Sequence, residues 1–475
     1  MEGPTLDNLG DNPVPSTDRA AGWRELGSAH LLPKLLIILL GVWMNAADAL
    51  VTATIQPSVA ADLGGYAAFS WAVAGFLIGS VVAGASSGRV AEIFGLGRAA
   101  AFAGVVFAVG CLMSAWAPEI WTFLGGRLVQ GIGSGWFSGF GMVAIAQLFP
   151  ERQIARVFAI IAATWGVATL LGPMVGGLFA EAGNWRAVFW IFLAQAALYA
   201  VLAPILFRKA HMESEHNSVP LPQLLAVAVG ISMIALADLA EAQVGSLALI
   251  FGGFAVMTLV FAIDAKAKVR LLPHRAGDPR TVVGAGYLSI FAAAGASMPF
   301  TIYAPPIFQQ LKAYSPLQAG YVVASLALTW TVVAMSISHV VSGKEGPWIR
   351  RGTALIALAA VAQALTVPTL ALAWVIPSGA LMGAGFGMST SLTNRVLLRS
   401  LLKEDQAIGS AALMTTRQIG GAVGAALAGV IANMIGFAHG ITDVTARGAA
   451  GNVFYAAIPM AVLGALGALA MTRKR

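Results

Sequence analysis

Three charged residues, Asp48, Arg127 and Arg417, interrupt long apolar stretches of the sequence. An ionised group in hydrocarbon is costly, so such a residue usually faces an aqueous cavity or a partner of opposite charge. A carboxylate in that setting can take up and release a proton, whereas an arginine keeps its charge at any working pH. We therefore expect Asp48 to carry protons and Arg127 to need a carboxylate, a carbonyl group or cavity water. Asp48 could instead be a hydrogen-bonded structural acid, and Arg127 could serve only to hold helices together.

The three charges are predicted to lie at similar depths in a membrane. At 1.5 Å per helical residue, Asp48 lies roughly 21 Å, Arg127 roughly 18 Å and Arg417 roughly 16 Å from the same edge of their apolar stretches. These depths fall near the middle of a hydrocarbon core ~30 Å thick. With an ionised Asp48, this layer carries one negative and two positive charges. The candidates for the wall of a substrate cavity are Asp48, Arg127, Arg417 and the aromatic Trp165.

Other catalytic or cofactor chemistry is not indicated. The Gly343-Lys344 pair is followed by Glu345 instead of Ser or Thr, which excludes a Walker phosphate-binding site. The histidines are scattered along the chain, and one cysteine, Cys111, can form neither a disulfide framework nor a cysteine metal site. We expect no enzyme activity, no metal and no cofactor, with a proton gradient as the energy source.

The composition indicates an all-α polytopic membrane protein. Hydrophobic residues make up 58% of the chain and charged residues 10%, against about a quarter charged in soluble domains. Apolar runs of about 20 residues, the length that a spanning helix needs, recur along the chain. We predict fourteen transmembrane helices, near residues 34–58, 69–89, 98–116, 119–147, 154–180, 185–207, 222–242, 245–263, 281–303, 317–341, 352–367, 370–394, 406–434 and 451–471.

The distribution of basic residues predicts the orientation. Of the 28 Lys and Arg residues, only Arg186, Lys312 and Arg447 fall in outer loops or at an outer span end when both termini are placed inside. Positive charge is retained on the cytoplasmic side, so both termini are predicted to be cytoplasmic, in a bacterial-type inner membrane. The formal net charge of +7 then reflects basic loops beside the lipid bilayer, and no nucleic-acid partner is expected.

Polar connections divide the chain into six spans, two linking spans and six spans, and duplicated six-helix halves suit a transporter with a central site. The predicted segments are a cytoplasmic tail at 1–33, a six-helix bundle at 34–207, a cytoplasmic loop at 208–221, two linking helices at 222–263, a cytoplasmic loop at 264–280 and a second six-helix bundle at 281–471.

Four motifs coincide with this span map: residues 46–51 (AADALV) around Asp48, 88–98 (GRVAEIFGLGR), 126–135 (GRLVQGIGSG) and 166–177 (GVATLLGPMVGG). Together they resemble the fourteen-span drug/proton antiporter branch of the major facilitator superfamily. Residues 315–320 and 417–424 extend the resemblance, which covers 34–471.

The resemblance implies roles for individual residues. It links Arg127 to proton transfer. In segment 88–98, the acid Glu92 would latch the cytoplasmic side, although it replaces the usual Asp, and a simple basic turn is the alternative. The residues implied in gating are Gly88, Glu92, Arg98, Gly172, Pro173, Gly176 and Gly177.

The sequence therefore predicts the major facilitator fold and a proton-coupled antiporter, monomeric, exporting amphipathic small molecules. The cargo would be drug-like and monovalent or neutral, or an organic anion such as a siderophore-like metabolite. An importer or uniporter on the same fold is an alternative, because fold does not fix direction. A membrane-embedded enzyme or sensor is the alternative of a different class.

Overall fold

The computed structural model describes residues 25–208, 219–237, 243–337, 340, 343–402 and 405–473, and every regular element within these ranges is helical. Most of the predicted tail and of the loop 208–221 lies outside them. The described end of the tail packs against the rest of the protein, because Leu26 and Leu31 are buried. Gln153 Nε2 also donates a hydrogen bond to Glu25 Oε2 at 2.6 Å.

The first six long helices follow one another with short connections. They are α1 (Leu32–Leu63), α2 (Trp71–Phe94), α3 (Leu96–Ala115), α4 (Ile120–Leu148), α5 (Glu151–Glu181) and α6 (Ala187–Leu206). We call them the N-terminal helices.

Two helices follow, α7 (Leu221–Leu236) and α8 (Gln243–Lys266). The C-terminal helices are α9 (Val282–Lys312), α10 (Pro316–Ser336), α11 (Glu345–Thr366), α12 (Leu372–Arg399), α13 (Gln406–Met434), α14 (Asp443–Asn452) and α15 (Ala457–Thr472). Hydroxyl caps begin several of them: Thr281 accepts a hydrogen bond from Gly284 N before α9, and Ser315 forms a capping box with Gln318 before α10.

Twelve stretches of the described chain are helical, long and apolar enough to cross a membrane, with α14 and α15 counted as one. The other two predicted spans coincide with α7, which has 16 residues, and with α13, which has 29. The all-helical, multi-span architecture is thus confirmed.

Several helix boundaries differ from the prediction, and two of the differences involve polar segments. Helix α11 begins at Glu345, seven residues before the predicted span at 352, and the predicted outer loop after span thirteen contains α14. Both segments are rich in polar residues, so a search for apolar windows leaves them out. Thr442 caps α14 by accepting a hydrogen bond from Thr445 N, a local signal independent of hydrophobicity.

The largest contacts between the N-terminal and C-terminal helices are those of α5 with α10 and of α2 with α13. Among the N-terminal helices, α1 packs on α5, α4 packs between α2 and α3, and α6 packs on α3. Among the C-terminal helices, α9 packs on α13 and α15, and α12 packs on α10 and α11. Helices α7 and α8 form a pair that contacts α2 and α13 through α7.

Glycines bring α2 and α4 into backbone contact. A β-carbon on Gly131 would clash with the carbonyl oxygen of Phe76, and one on Gly79 would clash with that of Leu128. Small residues at such positions let membrane helices approach closely. This contact presses the α4 turn that carries Arg127 against α2.

Candidate functional site

The predicted acid and arginine form a buried ion pair. Arg127 Nη1 donates to Asp48 Oδ1 at 2.8 Å, and both residues are essentially inaccessible to solvent, at 1% and 0% exposure. Arg127 Nε also donates to the carbonyl oxygen of Ala72 at 3.3 Å. The guanidinium therefore connects α4 to α1 through a carboxylate and to α2 through a carbonyl group.

A second group of side chains, which the sequence prediction missed, surrounds the pair. Arg127 Nη1 donates to Gln130 Oε1 at 2.9 Å, and that oxygen also accepts a hydrogen bond from Ser114 Oγ at 3.2 Å. Gln130 Nε2 donates to Cys111 Sγ at 3.2 Å, and the guanidinium carbon lies 4.6 Å from the centre of the Phe76 ring. Gln130 lies three residues after Arg127, so helical spacing alone could have indicated it.

One oxygen of the carboxylate is left without a partner. Asp48 Oδ2 is buried and has no hydrogen-bond partner among the described residues. A buried carboxylate oxygen normally accepts a hydrogen bond, because burial without one is costly. A proton could add to Oδ2 without displacing the Oδ1 contact to Arg127.

Asp48 stands apart from the other acids of the described chain. It occupies the middle of the 32-residue helix α1, whereas the buried acids Asp264, Glu345 and Asp405 lie at or near helix ends. Each of those three has polar partners: Asp264 accepts hydrogen bonds from two backbone amides, Glu345 pairs with Arg399, and Asp405 pairs with His274. Asp48 is thus the described carboxylate best placed to carry a proton at depth.

The predicted gating glycines lie where α5 meets α1 and α10. A β-carbon on Gly172 would lie 2.7 Å from Leu50 Cβ, and one on Gly176 would lie 3.0 Å from the Val51 carbonyl oxygen. Leu50 and Val51 follow Asp48 within one turn of α1.

The same segment of α5 also touches α10. A β-carbon on Gly177 would lie 2.5 Å from Leu317 Cα, and Pro173 Cβ lies 2.9 Å from the position of a β-carbon on Gly320. The segment 166–177 therefore connects the helix that carries Asp48 to the C-terminal helices.

Arg417 has surroundings of its own. Its guanidinium carbon lies 4.9 Å from the centre of the Trp330 ring on α10. It also lines a small cavity whose other polar walls are hydroxyl groups, among them Ser289, Thr353, Ser389 and Thr393. The structure thus places Arg417 in a polar recess among the C-terminal helices, and its neighbour Gln418 donates to Ser80 Oγ of α2 at 2.6 Å.

The remaining candidates lie near helix ends or surfaces. Glu92 forms a 3.0 Å salt bridge with Arg89 in the last turns of α2, and Arg89 directly follows Gly88. Arg98 is exposed at the start of α3. Gly95 between these helices has φ +77°, a conformation that favours glycine, and it forms the tight turn from α2 to α3. Trp165 is 42% exposed on α5. The roles of these residues stay predictions.

The N-terminal and C-terminal helices meet at the end that carries the predicted outer loops. Phe69, Tyr303 and Phe437 form a cluster with ring centres 5.4 to 5.8 Å apart. Asn433 Nδ2 donates to the Ala67 carbonyl oxygen at 2.6 Å, and Leu317 N donates to Glu181 Oε1 at 3.4 Å.

Toward the opposite end, α5 and α10 expose large side chains. Phe158 is 40% exposed, and Val332 and Met335 are 62% and 71% exposed. The contacts described above therefore join the two sets of helices at the predicted outer end.

A family model described as Major Facilitator Superfamily matches residues 38–425. The chain belongs to the major facilitator superfamily. It is 31% identical over 444 residues to a protein of Mycobacterium tuberculosis named "Probable multidrug-efflux transporter", covering 88% of this chain and 91% of the relative. A "Multidrug resistance protein B homolog" of the same species is 26% identical, with 89% and 81% covered.

A solved structure has the same fold. The crystal structure of a D-xylose-proton symporter aligns with a TM-score of 0.64 at 18% identity, over 93% of this chain and 97% of that one. The predicted fold family is thereby confirmed. This superfamily member is a transporter and not an enzyme.

Proposed function

We propose that the protein is a proton-coupled antiporter that exports amphipathic small molecules across the cytoplasmic membrane. The main support is the buried Asp48–Arg127 pair at the centre of α1, in which Asp48 Oδ2 has no hydrogen-bond partner among the described residues. Such an intramembrane ion pair with one open acceptor is suited to bind and release a proton.

Protonation of Asp48 would weaken the link between α1 and α4. The proton neutralises the carboxylate, so Arg127 loses its counter-charge and keeps Ala72 and Gln130 as its hydrogen-bond acceptors. Helix α1 then becomes freer to move against α4. Because Leu50 and Val51 contact α5, and α5 contacts α10, that movement reaches the boundary between the N-terminal and C-terminal helices.

The similarity to multidrug-efflux transporters and the polar recess at Arg417 support the proposed cargo class. A fixed positive charge among hydroxyl groups would bind the polar end of a neutral or anionic amphiphile. A permanently divalent cation would meet repulsion there, so we propose a drug-like neutral or monovalent compound, or an organic anion.

We further propose a monomer with fourteen spans: bundles at 34–207 and 281–471, linking helices at 222–263, and cytoplasmic termini. In support, a helix coincides with each predicted span. The end at which Phe69, Tyr303 and Phe437 cluster would then be the outer face.

Cysteine labelling tests this topology. In a Cys111→Ala background, we expect Asp443→Cys to react with an impermeant thiol reagent in intact cells, because Asp443 is exposed at the start of α14. Ser16→Cys and Lys474→Cys should react only after permeabilisation. Labelling of either terminus from outside would contradict the span count.

The direction of transport is tested with oriented vesicles. Inside-out vesicles with an acidic lumen should accumulate a fluorescent amphiphile in exchange for protons that leave the lumen, and collapse of the gradient should release it. Right-side-out vesicles serve as the control. Gradient-driven accumulation in right-side-out vesicles alone would identify an importer. Accumulation that does not depend on the proton gradient would contradict proton coupling.

Gly177→Ala should prevent the N-terminal and C-terminal helices from packing together at the outer face. The added methyl group would overlap Leu317, whose Cα lies 2.5 Å from its position, so α5 and α10 could not pack as they do. We expect transport to fall and outer-face cysteines to label faster. Gly166→Ala is the matched control, because its nearest neighbour, Thr331 Cγ2, lies at 3.7 Å, an ordinary contact. Equal transport by both variants would exclude this role for Gly177.

Arg417→Gln tests the cargo class. If the cargo is anionic, loss of this charge should weaken binding by at least about tenfold, since a charge-assisted hydrogen bond contributes roughly 1.5–3 kcal/mol. Binding would be measured by thermal shift with cationic, neutral and anionic amphiphiles. Arg350→Gln is the control, because Arg350 is exposed at the start of α11. Unchanged affinity for every ligand would make Arg417 a packing residue.

A further inference from the structure

A second, larger cavity lies away from the ion pair and from the recess at Arg417. It has a volume of about 300 Å³, at the lower end of the roughly 300–1,000 Å³ typical of small-molecule sites. Its walls come from α7, α8, the connection between α8 and α9, α9 and α13, and they are mostly apolar. Representative lining residues are Val227, Phe254, Leu271, Phe291 and Ile419.

The cavity begins at a lipid-facing surface and extends inward. Thr258 and Phe261 line it and are also exposed on α8, a helix whose other exposed residues include Phe251 at 70% and Leu259 at 54%. The deepest part of the cavity reaches Thr416, which lies ten residues after the start of α13, or about 15 Å along that helix. Its depth and apolar walls fit a hydrocarbon chain entering from the bilayer.

The segment between α8 and α9, which forms part of the cavity wall, carries a net positive charge. Segment 264–280 contains five Lys and Arg residues against two Asp. Lys266, Lys268 and Arg275 are exposed, and Arg275 directly precedes the lining residues Ala276 and Gly277. Basic pockets between helices on the cytoplasmic side of a membrane bind anionic lipid headgroups, and segment 264–280 is predicted to lie on that side.

Hydrogen bonds hold the backbone of this segment in place. Asp264 accepts hydrogen bonds from Leu271 N at 2.6 Å and Leu272 N at 3.2 Å. His274 N and His274 Nδ1 each lie 2.9 Å from Asp405 Oδ2, which ties the segment to the start of α13. The cavity floor is therefore built into the fold.

We propose that this cavity binds one anionic phospholipid of the cytoplasmic leaflet. One acyl chain fills the apolar cavity between α8, α9 and α13, and the phosphate group lies against Lys266, Lys268 and Arg275. The bound lipid fixes the α7–α8 pair against the C-terminal helices.

Native mass spectrometry of the full-length protein tests the site. Dioleoyl phosphatidylglycerol should be retained as one tightly bound copy, and dioleoyl phosphatidylcholine, with the same chains, should bind far more weakly. Lys266→Gln, Lys268→Gln and Arg275→Gln together should weaken phosphatidylglycerol binding about 100-fold, because each basic residue near a headgroup contributes roughly a factor of five. The charge-matched control is Arg350→Gln, Arg351→Gln and Arg473→Gln, all exposed elsewhere, and it should bind like wild type.

A second pair of variants tests the cavity itself. Thr258→Trp places a bulky ring at the mouth and should abolish retention, whereas Leu259→Trp, on the adjacent exposed position outside the lining, should not. The unfolding temperature without lipid checks that each variant is folded. Equal retention of the two lipids, or phosphatidylglycerol retention that survives Thr258→Trp, would overturn the proposal. Neither result depends on whether the protein is an antiporter.

Discussion

We expect Asp48→Asn to abolish proton-driven transport while leaving substrate binding intact. The amide keeps the size of the carboxyl group, and its oxygen can still accept a hydrogen bond from Arg127. The amide cannot bind or release a proton at the pH values at which transport is measured. Transport driven by an imposed proton gradient in proteoliposomes should fall to background. Substrate binding, measured by thermal shift, should stay within about twofold of wild type, a difference of less than ~0.5 kcal/mol.

The same substitution elsewhere on α1 provides the control. Asp62 lies at the outer end of the helix, where it is exposed and pairs with Arg186. Surface ion pairs contribute only about 0–1 kcal/mol, so Asp62→Asn should transport at nearly the wild-type rate. Gradient-driven transport by Asp48→Asn at the rate of Asp62→Asn would show that Asp48 is structural.

We expect Arg127→Met to destabilise the protein by about 3–5 kcal/mol, the usual cost when one partner of a buried ion pair is removed. Asp48 would stay buried without its counter-charge, and Gln130 Oε1 would lose the hydrogen bond that Arg127 donates to it. Unfolding in mixed micelles, followed by circular dichroism, measures the loss.

Adding Asp48→Asn to Arg127→Met should recover at least about 1 kcal/mol, because residues in direct contact are not additive. Arg417→Met is the control: its guanidinium lies over Trp330, and loss of a cation–π contact costs about 2 kcal/mol or less. Strictly additive losses for the Asp48 and Arg127 changes would contradict the ion pair.

Charge placed inside apolar runs was the most informative signal in the sequence. Depth along each span puts Asp48 and Arg127 in one layer, and the structure joins them directly at 2.8 Å. Arg417 lies at a similar predicted depth, but depth says nothing about which helices are neighbours. The structure accordingly places it beside Trp330, apart from the pair.

Uncharged polar residues gave a weaker signal. Gln130 and Ser114 complete the network around Arg127, yet amides and hydroxyls also occur in membrane helices for packing alone. The polar helix α14 was missed because hydropathy finds spans and not the short helices between them. The cavity at α8 could not be predicted, since its walls come from five separate segments.

The close contact between α2 and α4 affects how this transporter can diversify. Gly79 and Gly131 face backbone atoms, so almost any replacement there would displace a whole helix. Side chains such as those of Ser389 and Thr393, by contrast, line the recess around Arg417, so a substitution there would change the shape of the recess directly. Under selection by a new toxic compound, adaptive substitutions should therefore accumulate around that recess, while the segment that holds the ion pair stays invariant.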